Sequence, residues 1–245
     1  MVLPFIIGGA AISGAAIITY QQWQEIIRFL YGQKISILGG RQTGKTTLHT
    51  YLSEGRLIKE YEQTVTNTKM PRVNLKIDDL KIRIREGYDV GGGKPDRDTW
   101  RILFRESDIV FYLFRADHLD QEYCDSSETR KCDCSKTKER IPSDLDRIVQ
   151  WIEEIKKEKS SQYKNPLIKK QSSKKILFVG THCDHINDYE KKIDILKYND
   201  LVRRMTGIAR SQNDEIITVV ALGSLRSKLE ADNLVKNIFS SILKK

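Results

Sequence analysis

Eight consecutive residues of this chain have the types and spacing to hold a polyphosphate. Gly39-Gly40-Arg41-Gln42-Thr43-Gly44-Lys45-Thr46 fits the pattern G-x-x-x-x-G-K-[ST]. Its glycines allow backbone N–H groups to turn inward around phosphate oxygens, and the helix expected to start there adds the partial positive charge of its N-terminus. The Lys45 ammonium is placed to reach the terminal phosphates. The Thr46 hydroxyl, with Thr47 beside it, opens the helix and is placed to ligate Mg²⁺.

Three further clusters stand where strands should end. Asp89-Val90-Gly91-Gly92 is a D-x-x-G: Asp89 could hold Mg²⁺ through water, and Gly92 could present its N–H to a γ-phosphate. Thr181-His182-Cys183-Asp184 ends in a carboxylate that could accept from both N1–H and N2–H₂ of guanine, a donor pair that adenine lacks. Ala221-Leu222-Gly223-Ser224 could offer a backbone N–H to guanine O6, with Ala221 and Leu222 as the candidates. A threonine hydroxyl from the segment before residue 72 would complete the metal site. Thr64, Thr66 and Thr68 are available. Together these clusters imply GTP or GDP with Mg²⁺, the metal held by Thr46, Thr68 and Asp89. A P-loop ATPase or kinase would require the Asp184 cluster to be accidental.

The elements that must position these residues are legible as alternating patterns. Residues 34–38, 80–88, 175–180 and 215–221 read as strands, and 108–115 is a nearly continuous apolar run suited to a strand buried on both faces. Ser143 followed by Leu145, Ile148, Val149, Ile152 and Ile155 reads as a capped helix with one apolar face, and residues 234–242 as another. Strands alternating with helices predict an α/β domain with a mostly parallel central sheet and helices on both faces.

In their order, these clusters resemble the G domain of the Ras superfamily over residues 34–245, most of all its Arf-like branch. Asp89-Val90-Gly91-Gly92 followed by Trp100 is similar to the Arf D-V-G-G with its later Trp. The T-H-x-D cluster resembles that of Roc domains in place of N-K-x-D. The resemblance implies a catalytic set of Lys45, Thr68 and Gly92, the Arf-like spacing favouring Thr68 or Thr66 as the threonine with Thr68 the choice, and a protein partner at the switch regions. Gly93 stands where relatives carry the Gln that orients the attacking water. It implies a slow GTPase switch or nucleotide-dependent assembly module, or else a nucleotide-bound scaffold without significant hydrolysis. Arg41, Arg97 and Asp96 are the neighbours that could compensate.

The rest of the chain adds context. There are 42 Lys and Arg against 33 Asp and Glu, and eight of the lysines with a single Glu fall in residues 156–175. The excess is local, which argues against specific nucleic-acid binding and suits a solvated surface or an anionic lipid face. Residues 2–24 carry no charged side chain, about the length that spans a bilayer. The basic residues that follow orient such a span with the body in the cytoplasm. The expected organisation is a single-pass transmembrane helix at 1–24, a juxtamembrane linker at 25–33 and the G domain at 34–245. Small residues at four-residue spacing in the span suit a transmembrane partner. Residues 117–142 read as a polar insertion whose cysteines, Cys124, Cys132 and Cys134, are expected to be reduced; zinc ligation and redox sensing are the alternatives.

Overall fold

Successive residues of the strand Ile109–Arg115 point into two different cores, and this alternation organises the domain. A computed structural model of the chain describes residues 6–8, 26, 33–57, 68–69, 73–77, 80–84, 88–89, 97–162, 174–210 and 216–243. In chain order the elements are β1 (Ile6–Gly8), β2 (Ile35–Gly39), α1 (Lys45–Glu54), β3 (Thr68–Lys69), β4 (Val73–Ile77), β5 (Leu80–Ile84) and β6 (Tyr88–Asp89). They continue with α2 (Arg97–Glu106), β7 (Ile109–Arg115), α3 (Gln121–Asp125), α4 (Glu128–Gln162), β8 (Lys174–Thr181), α5 (Tyr189–Tyr198), α6 (Asp200–Arg210), β9 (Ile216–Leu222) and α7 (Lys228–Leu243).

The main sheet runs β1-β9-β8-β7-β2-β6-β3. Every pairing is parallel except that of β3 with β6. Val110, Tyr112 and Phe114 of β7 pack on the side of α2, α4 and α6, against Trp100, Phe104, Leu145, Ile152 and Met205. Ile109, Phe111 and Leu113 pack on the opposite side with Leu48 and Tyr51 of α1 and Leu234 and Phe239 of α7. Helices therefore cover both faces, as the patterns predicted. The pairs Thr68↔Asp89 and Val73↔Ile84 lie on one antiparallel register, so β3–β4 and β5–β6 follow a single hairpin frame.

Several boundaries differ from the sequence reading. No helix among the described residues is long and apolar enough to cross a membrane. Of the expected span only residues 6–8 are described, and they form a strand in parallel register with Val220–Leu222. Two β-branched isoleucines followed by glycine suit an extended edge strand as well as they suit an apolar helix. Ile26, assigned to the linker, is buried in the core beside α1 and α7, so that core draws on chain before residue 34.

The insertion at 117–142 is helical. Helix α4 begins at Glu128 and runs through Pro142, so Ser143 lies inside a helix and does not cap one. Helix is favoured there by burial of Cys134 and Ile141, which a polar stretch conceals. Cys124 and Cys134 are joined as a disulfide that ties α3 to α4, correcting the expectation of reduced thiols; Cys132 and Cys183 are free. Among the described residues no group of His, Cys, Asp and Glu is arranged to hold a metal ion. Helices α5 and α6 lacked a predicted counterpart. At the far end of α2, the buried Lys174 donates through Nζ to the carbonyls of Phe104 (2.6 Å) and Ser107, fixing the C-terminal turn of that helix.

Candidate functional site

The turn from β2 into α1 shows why glycine is required at two of its positions. Gly39 has φ 145°, and a Cβ there would lie 2.3 Å from the Leu113 carbonyl oxygen, so a side chain would push the loop off β7. Gly44 has φ 78° and starts α1 without any side-chain cap, which leaves the first N–H groups of the helix to the loop. Lys45 is folded over this loop. Its Nζ donates to Gly40 O at 2.6 Å, and the residue is 7% exposed. The Thr43 hydroxyl donates to the same carbonyl at 3.0 Å. The result is a backbone cradle with one buried ammonium above it, which is the donor set a polyphosphate requires. Thr46 and Thr47 occupy the first turn of α1, Arg41 is exposed on the loop, and Gln42 adopts φ 56°.

The ends of β8 and β9 bring the second half of the site to this cradle. The Thr181 hydroxyl is buried and lies 3.1 Å from Thr43 O and 3.2 Å from Phe114 O. Both partners only accept, so the single hydroxyl proton is shared between the two carbonyls and a lone pair faces His182 Nδ1 at 2.8 Å. Thr181 thus ties the residues after β8 to the phosphate loop, and His182 donates to it through Nδ1–H. Burial, and then the nearby Arg115 charge, push the His182 imidazole down to about 4, so it is neutral at pH 7.

Asp184 is oriented from two sides. The Ser224 hydroxyl donates to its Oδ1 at 2.8 Å, and His185 Nε2 approaches its Oδ2 at 3.7 Å. Two backbone bonds, Gly223 N–H to Gly180 O (2.9 Å) and Cys183 N–H to Gly223 O (3.2 Å), hold the two loops together.

Behind them, Asp117 is fully buried and accepts from Arg115 and from His185 Nδ1, the latter at 2.9 Å. Burial alone would raise the Asp117 carboxyl, but the hydrogen bond and charge of Arg115 outweigh it and hold the group below its usual range. His118, donating to or accepting from the Thr137 hydroxyl at 2.7 Å, is likewise pushed down to about 4 by burial and then by Arg115. Burial raises the Cys183 thiol to about 12, leaving it an inert packing group.

The structure therefore gathers Gly39 through Thr47 with Thr181, His182 and Asp184. Asp89 pairs with Ile37 of β2 and with Thr68 of β3, so the backbone places Asp89 on the strand beside the one that feeds the loop and Thr68 one strand further out. Gly92 and Gly93 lie outside the described residues. Ala221 and Leu222, proposed to offer a backbone N–H to guanine O6, stand at the end of the neighbouring strand. They are buried in the last residues of β9, in register with Val179 and Gly180 of β8. The turn begins one residue later, at Gly223, and the buried Ser224 is its side chain bonded to Asp184. Its position directly after the A-L-G run was the only sequence signal for it. Arg140 of α4, also missed, sits against the loop at Gly40.

The family model described as "ADP-ribosylation factor family" matches residues 23–131. This segment contains the phosphate loop, Thr68, Asp89 and Trp100, whereas Thr181, Asp184 and Ser224 lie beyond it. No curated protein matches the chain.

Proposed function

On the premise that this chain is, through residues 23–131, an Arf-like GTP-binding protein of the Ras superfamily, we propose that it is a slow switch or a nucleotide-dependent assembly module. The observation that carries the reading is the Thr181 hydroxyl bonded to Thr43 O, because it ties the base-reading loop to the phosphate cradle as one site. Gly40 to Lys45 would hold the phosphates through backbone N–H groups and one ammonium. Asp184, held by Ser224, would read guanine. Thr46, Thr68 and Asp89 are the residues that would hold Mg²⁺, whose charge would offset that of the phosphates.

Slow turnover follows from Gly93. Phosphoryl transfer depends on positioning and charge stabilisation, and Gly93 has no side chain with which to orient water. The same residue favours the alternative of a nucleotide-bound scaffold that does not hydrolyse. Single-turnover hydrolysis by purified protein separates the two. The switch reading expects about 10⁻⁴–10⁻³ s⁻¹, rising in Gly93→Gln; no turnover in either protein supports the scaffold, and turnover near 1 s⁻¹ in the unaltered protein contradicts both.

A protein effector at the residues around β3–β6 and the N-terminal end of α2 fits this reading. Membrane attachment through residues 2–24, with the G domain on the cytoplasmic side, is the accompanying proposal. It rests on the uncharged run. Resistance of the full chain to carbonate extraction supports it. Release by carbonate favours Ile6–Gly8 remaining paired with β9 instead.

A further inference from the structure

The side of the phosphate loop facing α4 is lined by charge that the nucleotide reading does not use. A cavity of about 460 Å³ lies between residues 40–43 and α4, and Arg41, Lys136 and Arg140 contribute to its wall, with Asp133 as the carboxylate among the lining residues. Lys136 is paired with Asp133 at 3.3 Å. Arg140 is the residue that reaches the loop. Its Nη1 and Cζ lie 3.7 and 3.9 Å from the position a Cβ on Gly40 would take, so the guanidinium stands at van der Waals distance from the loop.

Arg140 is held in this direction from behind. Its Nε donates to Asp144 Oδ2 at 3.1 Å, and the Tyr112 hydroxyl donates to the same oxygen at 3.0 Å. Asp144 is buried while the Arg140 side chain is partly exposed, so the carboxylate end of the pair is the sheltered one. The guanidinium also packs over the Trp100 ring of α2, 5.5 Å from its centroid. One side chain thus touches the phosphate loop, α4 and α2, and turns a planar cationic fork toward the loop.

We propose that Arg140 is a specificity-determining residue that recognises the third phosphate of a nucleoside triphosphate and links its presence to α2 through Trp100. The inference rests on the GTP-binding reading above. Lys45 and the loop backbone serve di- and triphosphates alike, whereas a cation entering from the α4 side adds a contact for the group that carries the extra charge.

The test is equilibrium binding of GDP and of the slowly hydrolysed analogue GTPγS, each with Mg²⁺, to the full chain and to Arg140→Gln. Loss of a charge-assisted bond predicts GTPγS affinity reduced about 10-fold or more, with GDP affinity unchanged within about twofold. Arg140→Met keeps the packing on Trp100 without the charge; it should give the same ratio, and it decides the matter if Arg140→Gln does not fold. An unchanged GTPγS-to-GDP ratio, or equal weakening of both, overturns the inference and leaves Arg140 a packing residue. Failure of the unaltered protein to bind either nucleotide overturns the GTP-binding reading, and this inference with it.

Discussion

The two ends of the site are built by different means. At the phosphate end the groups are mostly backbone: two glycines at positive φ, an uncapped helix start and one buried lysine. At the base end they are side chains holding side chains, with Ser224 on Asp184, Thr181 on the Thr43 carbonyl, and His185 between Asp117 and Asp184. A backbone cradle is insensitive to most substitutions but does not distinguish bases. A side-chain network distinguishes bases, and it fails when any one member changes. The former supplies affinity and the latter selectivity, so damage to each should have a different signature.

The largest effect should come from Lys45→Ala. It removes the ammonium bonded to the Gly40 carbonyl of the loop, and GTP and GDP affinity should fall together by about 100-fold or more, read by nucleotide competition. Next is Asp184→Asn, which replaces a double acceptor by a group with one acceptor and one donor. Guanine nucleotide affinity should fall by about 10- to 100-fold while xanthine nucleotide gains. Ser224→Ala should reproduce the loss in milder form, about 3- to 10-fold, because the carboxylate remains but loses its orienting bond. If Asp184→Asn lowered ATP and GTP affinity equally, the division of labour between the two ends would be wrong.

A smaller and more diffuse effect should follow pH, and it belongs to the base end. His118 and His182 titrate near 4 in the folded chain against an ordinary value near 6.5. Between those values the unfolded chain binds more protons than the folded one, so stability is complete above about pH 6.5 and is lost as pH falls toward 4. The His182 imidazole contributes up to about 3 kcal/mol over that window, and the less buried His118 contributes less. Denaturant unfolding at pH 7 and pH 5 should show the fall, and His182→Gln should reduce it.

The same contrast explains what could be read from sequence. The phosphate end is contiguous in the chain, and its glycines are demanded by local backbone geometry, so residues 39–46 carried it whole. Strand β7 was equally plain, because a strand covered on both faces has to be apolar throughout. The base end is assembled from residues about 40 positions apart, and Ser224 is one ordinary serine until the structure sets it 2.8 Å from Asp184. The sequence reading ends β9 at Ala221, whereas the strand extends through Leu222, because its end is fixed by pairing with β8, which the sequence does not display. Helix α4 was begun too late because Ser143 and Pro142 look like a start signal; the burial of Cys134 and Ile141 and the bond from Cys124 to Cys134 are long-range facts. Arg140 was invisible for the same reason, as one arginine in a charged stretch.

The central claim is that one site binds a guanine nucleotide by joining a base-blind phosphate cradle to Asp184. It is tested most directly by equilibrium competition of GTP and ATP, each with Mg²⁺, for the purified full chain. Two hydrogen bonds from guanine to a carboxylate predict a preference for GTP of about 100-fold or more. Equal affinity for the two nucleotides would contradict the account.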